Sequence, residues 1–332
     1  MLDFEPNRIP APPRDAATVV VLRDQPGEET SHPRLEVFCV RRHANSAFLG
    51  GAIVFPGGKV DPADGTEAWD TLGTELHPRA SLLVDASVAG VSARTLAVAA
   101  CREMLEEGGI VPVDRPLAAE DCDALREELR ASTTSLSVAL GRRGLRLALD
   151  RLVPWARWVT PEMESRRFDA RFFLLELPAG QLGTHDRHET TMSFWARPAE
   201  VLERFARGEF FLAPPTTRTL ELLAHAHDVR AALALAGEQS LRPICPRFVA
   251  GGSAPADASG GAEGASVDDA PYLALPGDPS HEIAERRVHG PTRFVLREGR
   301  FVSEDAPSWR APNSQTIPQG VASGGRQDSF EE

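Results

Sequence analysis

Residues 102–110 read Arg102-Glu103-Met104-Leu105-Glu106-Glu107-Gly108-Gly109-Ile110, and the placing of their three acids decides how the rest of the chain is read. At about 100° per helical residue, with Glu103 as zero, Glu107 falls near 40° and Glu106 near 300°. Val98, Cys101, Met104 and Leu105 take the opposite arc, so the spacing predicts a helix over 93–107 with one packing face and one acidic face. Gly108-Gly109 supplies the stop. Such an acidic face is poorly placed for stability. Carboxylates near a helix C-terminus oppose the macrodipole at about 0.3–1 kcal/mol each, and like charges at i,i+4 repel. A bound cation would relieve both costs. Hard oxygen donors without His or Cys favour Mg²⁺, Mn²⁺ or Ca²⁺ over zinc, and Mg²⁺ is the natural partner of phosphates.

Toward the N-terminus lies Phe55-Pro56-Gly57-Gly58-Lys59. Two glycines after a strand let the backbone turn and approach a ligand without interference from Cβ. The apolar, β-branched stretches 16–23, 35–42 and 52–55 read as strands. Toward the C-terminus, Val111-Pro112-Val113 is strand-like and 118–131 and 135–149 read as amphipathic helices. PWARWVTP, ARFFLLELP and TTMSFWARP form a second group of strands, and 199–209 and 215–237 read as further helices. The aromatic residues of these strands, Trp155, Trp158, Phe172, Phe173 and Trp195, read as core. The run His185-Asp186-Arg187-His188-Glu189 lacks the histidine pair of a zinc helix and reads as a polar loop. From 250 to 270 the composition falls to Gly, Ala, Ser and Asp, which reads as a linker and a domain-scale break. Beyond it, 271–303 reads as a small β-rich appendage with a hairpin at Glu298-Gly299, and 304–332 as a loose tail.

Taken together these segments resemble the Nudix hydrolase family. Its signature opens with a glycine, carries a glutamate shortly after, and ends in R-E-U-x-E-E-x-G-U with U aliphatic. Arg102 to Ile110 fit the second half in full. Gly58 looks like the opening glycine, but Asp64 stands where the first glutamate is expected, and an insertion of about thirty residues, at about 61–92, splits the signature. The split is similar to that of the coenzyme A diphosphatase-like branch. The likeness extends to Arg41-Arg42, to 48–58 (FLGGAIVFPGG), to 154–161, and to Arg166-Arg167-Phe168-Asp169-Ala170-Arg171-Phe172-Phe173, covering about 14–235.

The resemblance implies an α/β/α sandwich around a mixed β-sheet, enlarged by extra helices and a small C-terminal extension. It implies Mg²⁺ or Mn²⁺ held by Glu103, Glu106, Glu107 and the Gly57 carbonyl, with Arg102 holding an acidic side chain in place. Glu103 and Glu106 lead as the catalytic base. Glu189, six residues before Trp195, matches a later acid of the branch and joins the metal set as an alternative to a plain surface residue. Arg42, Arg166, Arg167 and Gly58 are the candidates for contacting substrate phosphates, since a guanidinium matches phosphate oxygens in pairs. The implied reaction is hydrolysis of a diphosphate linkage in coenzyme A or an acyl derivative, giving 3′,5′-ADP and a 4′-phosphopantetheine. NADH, ADP-ribose or dinucleoside polyphosphates stay open as substrates, as does a nucleotide-binding scaffold without turnover.

Bulk properties agree. In 332 residues, 42% hydrophobic side chains are enough for a sizeable core. A net charge of −12 argues against a nucleic-acid or membrane-surface partner, since both call for a basic face. No apolar run reaches the length of a membrane helix and no secretory leader pattern is visible, so a cytoplasmic protein is expected. The four scattered cysteines read as free thiols. A homodimer through the 271–303 strands remains open.

Overall fold

The computed structural model describes residues 11–25, 34–44, 49–85, 90–131, 134–186, 188–251 and 270–306. The strands are β1 (Arg14–Gln25), β2 (Arg34–Arg42), β3 (Ile53–Val54), β4 (Gly57–Lys59), β5 (Val153–Val159), β6 (Phe168–Glu176), β7 (Thr190–Ala196), β8 (Arg247–Val249), β9 (Tyr272–Ala274), β10 (Arg293–Arg297) and β11 (Arg300–Glu304). The helices are α1 (Trp69–Leu72), α2 (Ala93–Gly108), α3 (Ala119–Arg130), α4 (Leu136–Arg143), α5 (Pro198–Ala206), α6 (Pro214–Leu223) and α7 (Val229–Glu238). Short 3₁₀ turns lie at Pro62–Gly65, Ala80–Leu83 and Leu149–Arg151. No helix among the described residues is long and apolar enough to cross a membrane.

β1 is the hinge of the architecture. It runs parallel to β6 on one edge and antiparallel to β2 and β4 on the other, which makes the main sheet mixed. From Ala16 to Leu22 its sequence is apolar at every position but Thr18 because both faces are covered. Ala17, Val19 and Val21 point into a core shared with α2, α3 and α4, whereas Val20 and Leu22 enter a second core with α5, α6 and α7. The period-two alternation repeats in β2, where Phe38 and Val40 face the first core and Val37 and Cys39 the second. Helices therefore flank the sheet on both sides, as the resemblance implied.

The run from Ile53 to Lys59 changes partner midway. Residues 53–54 pair with β2 and 57–59 with Ala16 to Thr18 of β1, filling the gap where β1 and β2 diverge. α2 lies across this junction. Ser92 caps it by accepting from the Thr95 N–H at 3.0 Å, and Gly109, at φ 64°, ends it in a left-handed cap whose N–H donates to the Leu105 carbonyl at 2.9 Å.

Three expectations are corrected. The helix expected over 135–149 stops at Arg143, because Gly144 at φ 61° turns the chain out; Leu147 then bridges to Gly73 and Val113. Residues 111–113 form no strand beyond that single bridge. The stretch 215–237 is two helices, the second capped by the Asp228 side chain accepting from the Ala231 N–H at 2.6 Å.

The C-terminal strands form a four-stranded antiparallel sheet ordered β11-β10-β9-β8. This sheet starts before the expected linker, with β8. It also shares its apolar side chains, among them Leu273, Phe294 and Phe301, with the α5–α7 core, so in packing terms the segment continues the main body. The Gly-rich residues 252–269 and the tail beyond 306 lie outside the described residues. The hairpin turn falls at Glu298 and Gly299, at φ 49° and 76°, as the two left-handed residues of a tight turn require.

Candidate active site

The site is built where α2 crosses the β3–β4 junction. The Gly57 N–H donates to Glu107 Oε2 at 3.0 Å, tying the strand to the acidic face of the helix. A Cβ on Gly57 would lie 2.5 Å from the Ala17 carbonyl oxygen and 2.7 Å from Thr18 Cα. A Cβ on Gly58 would instead lie 2.5 Å from the Glu103 carboxylate. The first glycine is thus needed by the backbone and the second by the acid.

Arg102 organises one side of the cluster. Its Nε and one terminal nitrogen grip Asp64 at 2.9 and 3.0 Å. The other terminal nitrogen donates to Glu103 at 2.9 Å and Glu106 at 3.0 Å. A further bond to the Lys59 carbonyl at 2.8 Å fixes the start of the insertion. Asp64 is 2% exposed and sits in a 3₁₀ turn that Asp61 caps; its second oxygen also accepts from the Asp61 N–H at 2.8 Å. Planar, two-point pairing of this kind sets the rotamers of both partners.

Glu107 is buried, with Arg42 on its other oxygen at 3.6 Å. Burial pushes the Glu107 carboxyl up to about 8, opposed by Arg42 and the Gly57 N–H and reinforced by Glu103 and Glu189. Burial also pushes Glu103 up to about 7 against the pull of Arg102, with Glu106 and Glu189 adding to the rise. Glu106 is raised too, again chiefly by burial.

Glu189 comes from the opposite side, on the loop before β7, and lines the same cavity as the three helix acids. Asp186 fixes that loop, its carboxylate accepting from the N–H groups of His188 at 3.2 Å, Glu189 at 2.9 Å and Thr190 at 2.9 Å, and from the Thr190 hydroxyl. The described residues of 185–189 therefore lie in a loop whose aspartate is structural.

The cavity is about 540 Å³, within the range of small-molecule sites. Arg42, Gly57 and Gly58 line it as expected, and so does Lys59, an exposed cation that the sequence reading passed over. Arg166 and Arg167 do not line it. Arg166 is exposed, and the Arg167 guanidinium donates to the carbonyls of Thr160 and Ala11, which makes it a strut between loops. Trp155 and Phe173 are core residues as read, whereas Trp158 and Phe172, also buried, each present a surface to the cavity.

Among the described residues no three His, Cys, Asp or Glu side chains already converge as a ligand set, since Glu103 and Glu106 each turn an oxygen to Arg102. The donor chemistry nonetheless fits a hard divalent cation. Carboxylates gathered in low dielectric, with their pKa values raised by burial and by one another, are the arrangement that such a charge stabilises.

A NUDIX hydrolase from Alicyclobacillus acidocaldarius has the same fold, at a TM-score of 0.56 and 30% identity, the match covering 67% of this chain and 96% of that one. The chain belongs to the Nudix hydrolase family. The family model of the NUDT19 Nudix domain matches residues 89–223. Among curated relatives, acyl-coenzyme A diphosphatase NUDT19 of Gallus gallus is 27% identical over 248 residues, and that of Homo sapiens 26% over 257. The chain spans 65% of the length of the Gallus gallus protein and 62% of its Xenopus laevis counterpart.

Asp64, at the position of the signature's first glutamate, lies beside its second half in space. Asp64, which sequence reasoning counted as a missing glutamate, is the acid that Arg102 holds. The insertion, at about 61–92, packs Trp69 and Leu83 against the α2 core. The signal that could have identified Asp64 was its place at the right distance from Gly58, since a carboxylate one methylene shorter still reaches when a 3₁₀ turn carries it in.

Proposed function

We propose that this Nudix protein hydrolyses a diphosphate linkage in a nucleotide derivative, with coenzyme A or an acyl-coenzyme A as substrate and 3′,5′-ADP and an (acyl-)4′-phosphopantetheine as products. The supporting observation is the convergence of Glu103, Glu106, Glu107 and Glu189 on one cavity beside Gly57, Gly58 and two cations, Arg42 and Lys59. The NUDT19 relatives supply the coenzyme A part of the reading.

Glu103, Glu106, Glu107 and the Gly57 carbonyl, with Glu189 opposite, would hold Mg²⁺ or Mn²⁺. When bound, the ion neutralises diphosphate charge and acidifies a water. Arg42, which also lies 3.6 Å from Glu107 Oε1, and Lys59 would hold phosphate oxygens, and Gly58 leaves room for the diphosphate against α2. The attacking water gives its proton to a carboxylate as its oxygen bonds to phosphorus and the anhydride P–O bond breaks. Glu103 and Glu106 are the candidates for this role.

The test is product release from coenzyme A, acetyl-coenzyme A, NADH and ADP-ribose with Mg²⁺ or Mn²⁺, read by chromatography. Metal-dependent release of 3′,5′-ADP from the first two compounds is the expected result. Cleavage of NADH or ADP-ribose alone would keep the chemistry and overturn the substrate. Binding without turnover of any of the four would overturn the enzymatic reading.

A further inference from the structure

The loop that brings Glu189 to the cavity is bonded almost residue by residue to the end of α2 and to β7. The Gln181 side chain accepts from the Val111 N–H at 2.9 Å and donates to the Val111 carbonyl at 2.8 Å. The Leu182 carbonyl accepts from the Trp195 indole at 2.9 Å, the Thr184 N–H donates to the Gly108 carbonyl at 2.8 Å, and the His185 N–H donates to the Ser193 hydroxyl at 3.1 Å. Gly183 turns the chain between them at φ 81°, where a Cβ would lie 2.9 Å from Phe38 and 3.0 Å from Ile110. Asp186 then fixes residues 188–190, and the Glu189 carbonyl accepts from the His43 N–H at 2.8 Å. Among the described residues no hydrogen bond or ion pair holds the Glu189 carboxylate, so the loop backbone decides where it stands.

Arg126 of α3 closes this loop onto the helix. Its guanidinium, on a residue 8% exposed, donates to the Thr184 carbonyl at 2.7 Å, to the Thr184 hydroxyl at 3.2 Å and to the exposed Asp123 carboxylate at 2.7 Å. Gly109 makes room for it, since a Cβ there would lie 3.1 Å from an Arg126 nitrogen and 3.3 Å from the Thr184 hydroxyl oxygen. Burying a guanidinium is costly, and a carbonyl, a hydroxyl and an exposed carboxylate offset only part of that. An apolar side chain would fill the same space at less cost. What the planar fork of donors adds is direction, because it holds Thr184 at two points.

We infer that Arg126 is a positioning residue for the metal centre: by gripping Thr184 it sets the place of Glu189 opposite Glu103, Glu106 and Glu107. The inference rests on the metal role proposed for Glu189 and is independent of which diphosphate is the substrate. Arg126, Gln181 and Thr184 do not line the cavity, so Arg126 reaches the ion only through the loop.

The experiment is calorimetric titration of the metal-free, full-length protein with Mn²⁺, which needs no turnover, for wild type, Glu189→Gln, Arg126→Met and the double variant. Melting curves of the same four proteins in chelator report the structural cost. Glu189→Gln should weaken the tightest Mn²⁺ Kd by about tenfold or more, and Arg126→Met, one step further from the ion, by about three- to fivefold. In the Glu189→Gln background, Arg126→Met should change Kd by less than about twofold, while it lowers the melting temperature equally in both backgrounds. Arg126→Lys keeps the charge without the fork. It covers the case in which the methionine variant does not fold, and should give a smaller shift in Kd with the same dependence on Glu189. A Kd that Arg126→Met leaves unchanged, or weakens equally in both backgrounds, overturns the positioning role while keeping Glu189 as a ligand. Mn²⁺ binding indifferent to Glu189→Gln removes Glu189 from the ligand set and overturns the inference with it.

Discussion

At the scale of single residues, the paired glycines make different demands that one experiment separates. Gly57→Ala drives a Cβ into the β1 backbone and should destabilise the fold by more than the 1–3 kcal/mol (roughly) usual for overpacking. Gly58→Ala drives its Cβ into the Glu103 carboxylate, a side chain that can swing away. It should therefore lower kcat sharply at little cost in melting temperature. The reverse order, by thermal melts and steady-state rates, would contradict the assignment. The acids make a second prediction. Glu103 and Glu107 have folded pKa values raised above the ordinary carboxylate value of 4.5, to about 7 and about 8. The folded metal-free state therefore binds more protons than the unfolded one between these limits, and its stability should fall as pH rises from 4.5 to about 8. Glu107→Gln should flatten that slope in chelator-treated protein, and added Mg²⁺ should raise the wild-type melting temperature more at pH 8 than at pH 5, by ligand linkage. An identical slope in both proteins would remove Glu107 from the account.

At the scale of elements, α2, its acidic face and its glycine stop were legible because helical periodicity and a left-handed terminator are local properties. β1, β2, β5, β6 and β7 were legible for the same reason, each being a short apolar run between polar turns. What the sequence hid was non-local. Asp64 became a partner of Arg102 only through a 3₁₀ turn and a folded insertion, and the four residues from Leu145 to Ala148 looked helical until Gly144 turned them away. Arg166 and Arg167 were indistinguishable in sequence from phosphate-binding arginines, and only the fold shows one exposed and the other spanning two loops. The Arg102–Asp64 pair joins helix to insertion, and breaking it leaves a half-buried guanidinium with Glu103 and Glu106 but without its two-point partner. Asp64→Ala should cost about 3–5 kcal/mol in urea unfolding, the range for removing one member of a buried pair, and lower kcat as Glu103 and Glu106 lose their common anchor. An effect within about 0.5 kcal/mol, the level of ordinary surface changes, would show that the pair is not structural.

At the scale of the whole molecule, the sheet divides two cores, and the C-terminal strands belong to the second. Composition alone suggested a small appendage beyond a flexible linker, because a Gly- and Ser-rich stretch separates it in sequence. Arg218 shows why it stays attached: the Gly290 backbone packs so close to its guanidinium that even a Cβ there would collide. Arg218→Ala should expose residues 270–306 to limited proteolysis while leaving α2 protected, and equal protection of both regions would contradict the clamp. The central claim concerns the acids that the whole fold brings together, and its most direct measurement is the rate of 3′,5′-ADP release from acetyl-coenzyme A in Mg²⁺ for wild type and Glu106→Gln, with matched melting curves as the control for folding. The account predicts metal-dependent release by the wild type and a loss of orders of magnitude in a folded Glu106→Gln. Equal rates in the two proteins, or release by the wild type that a chelator does not abolish, would contradict it.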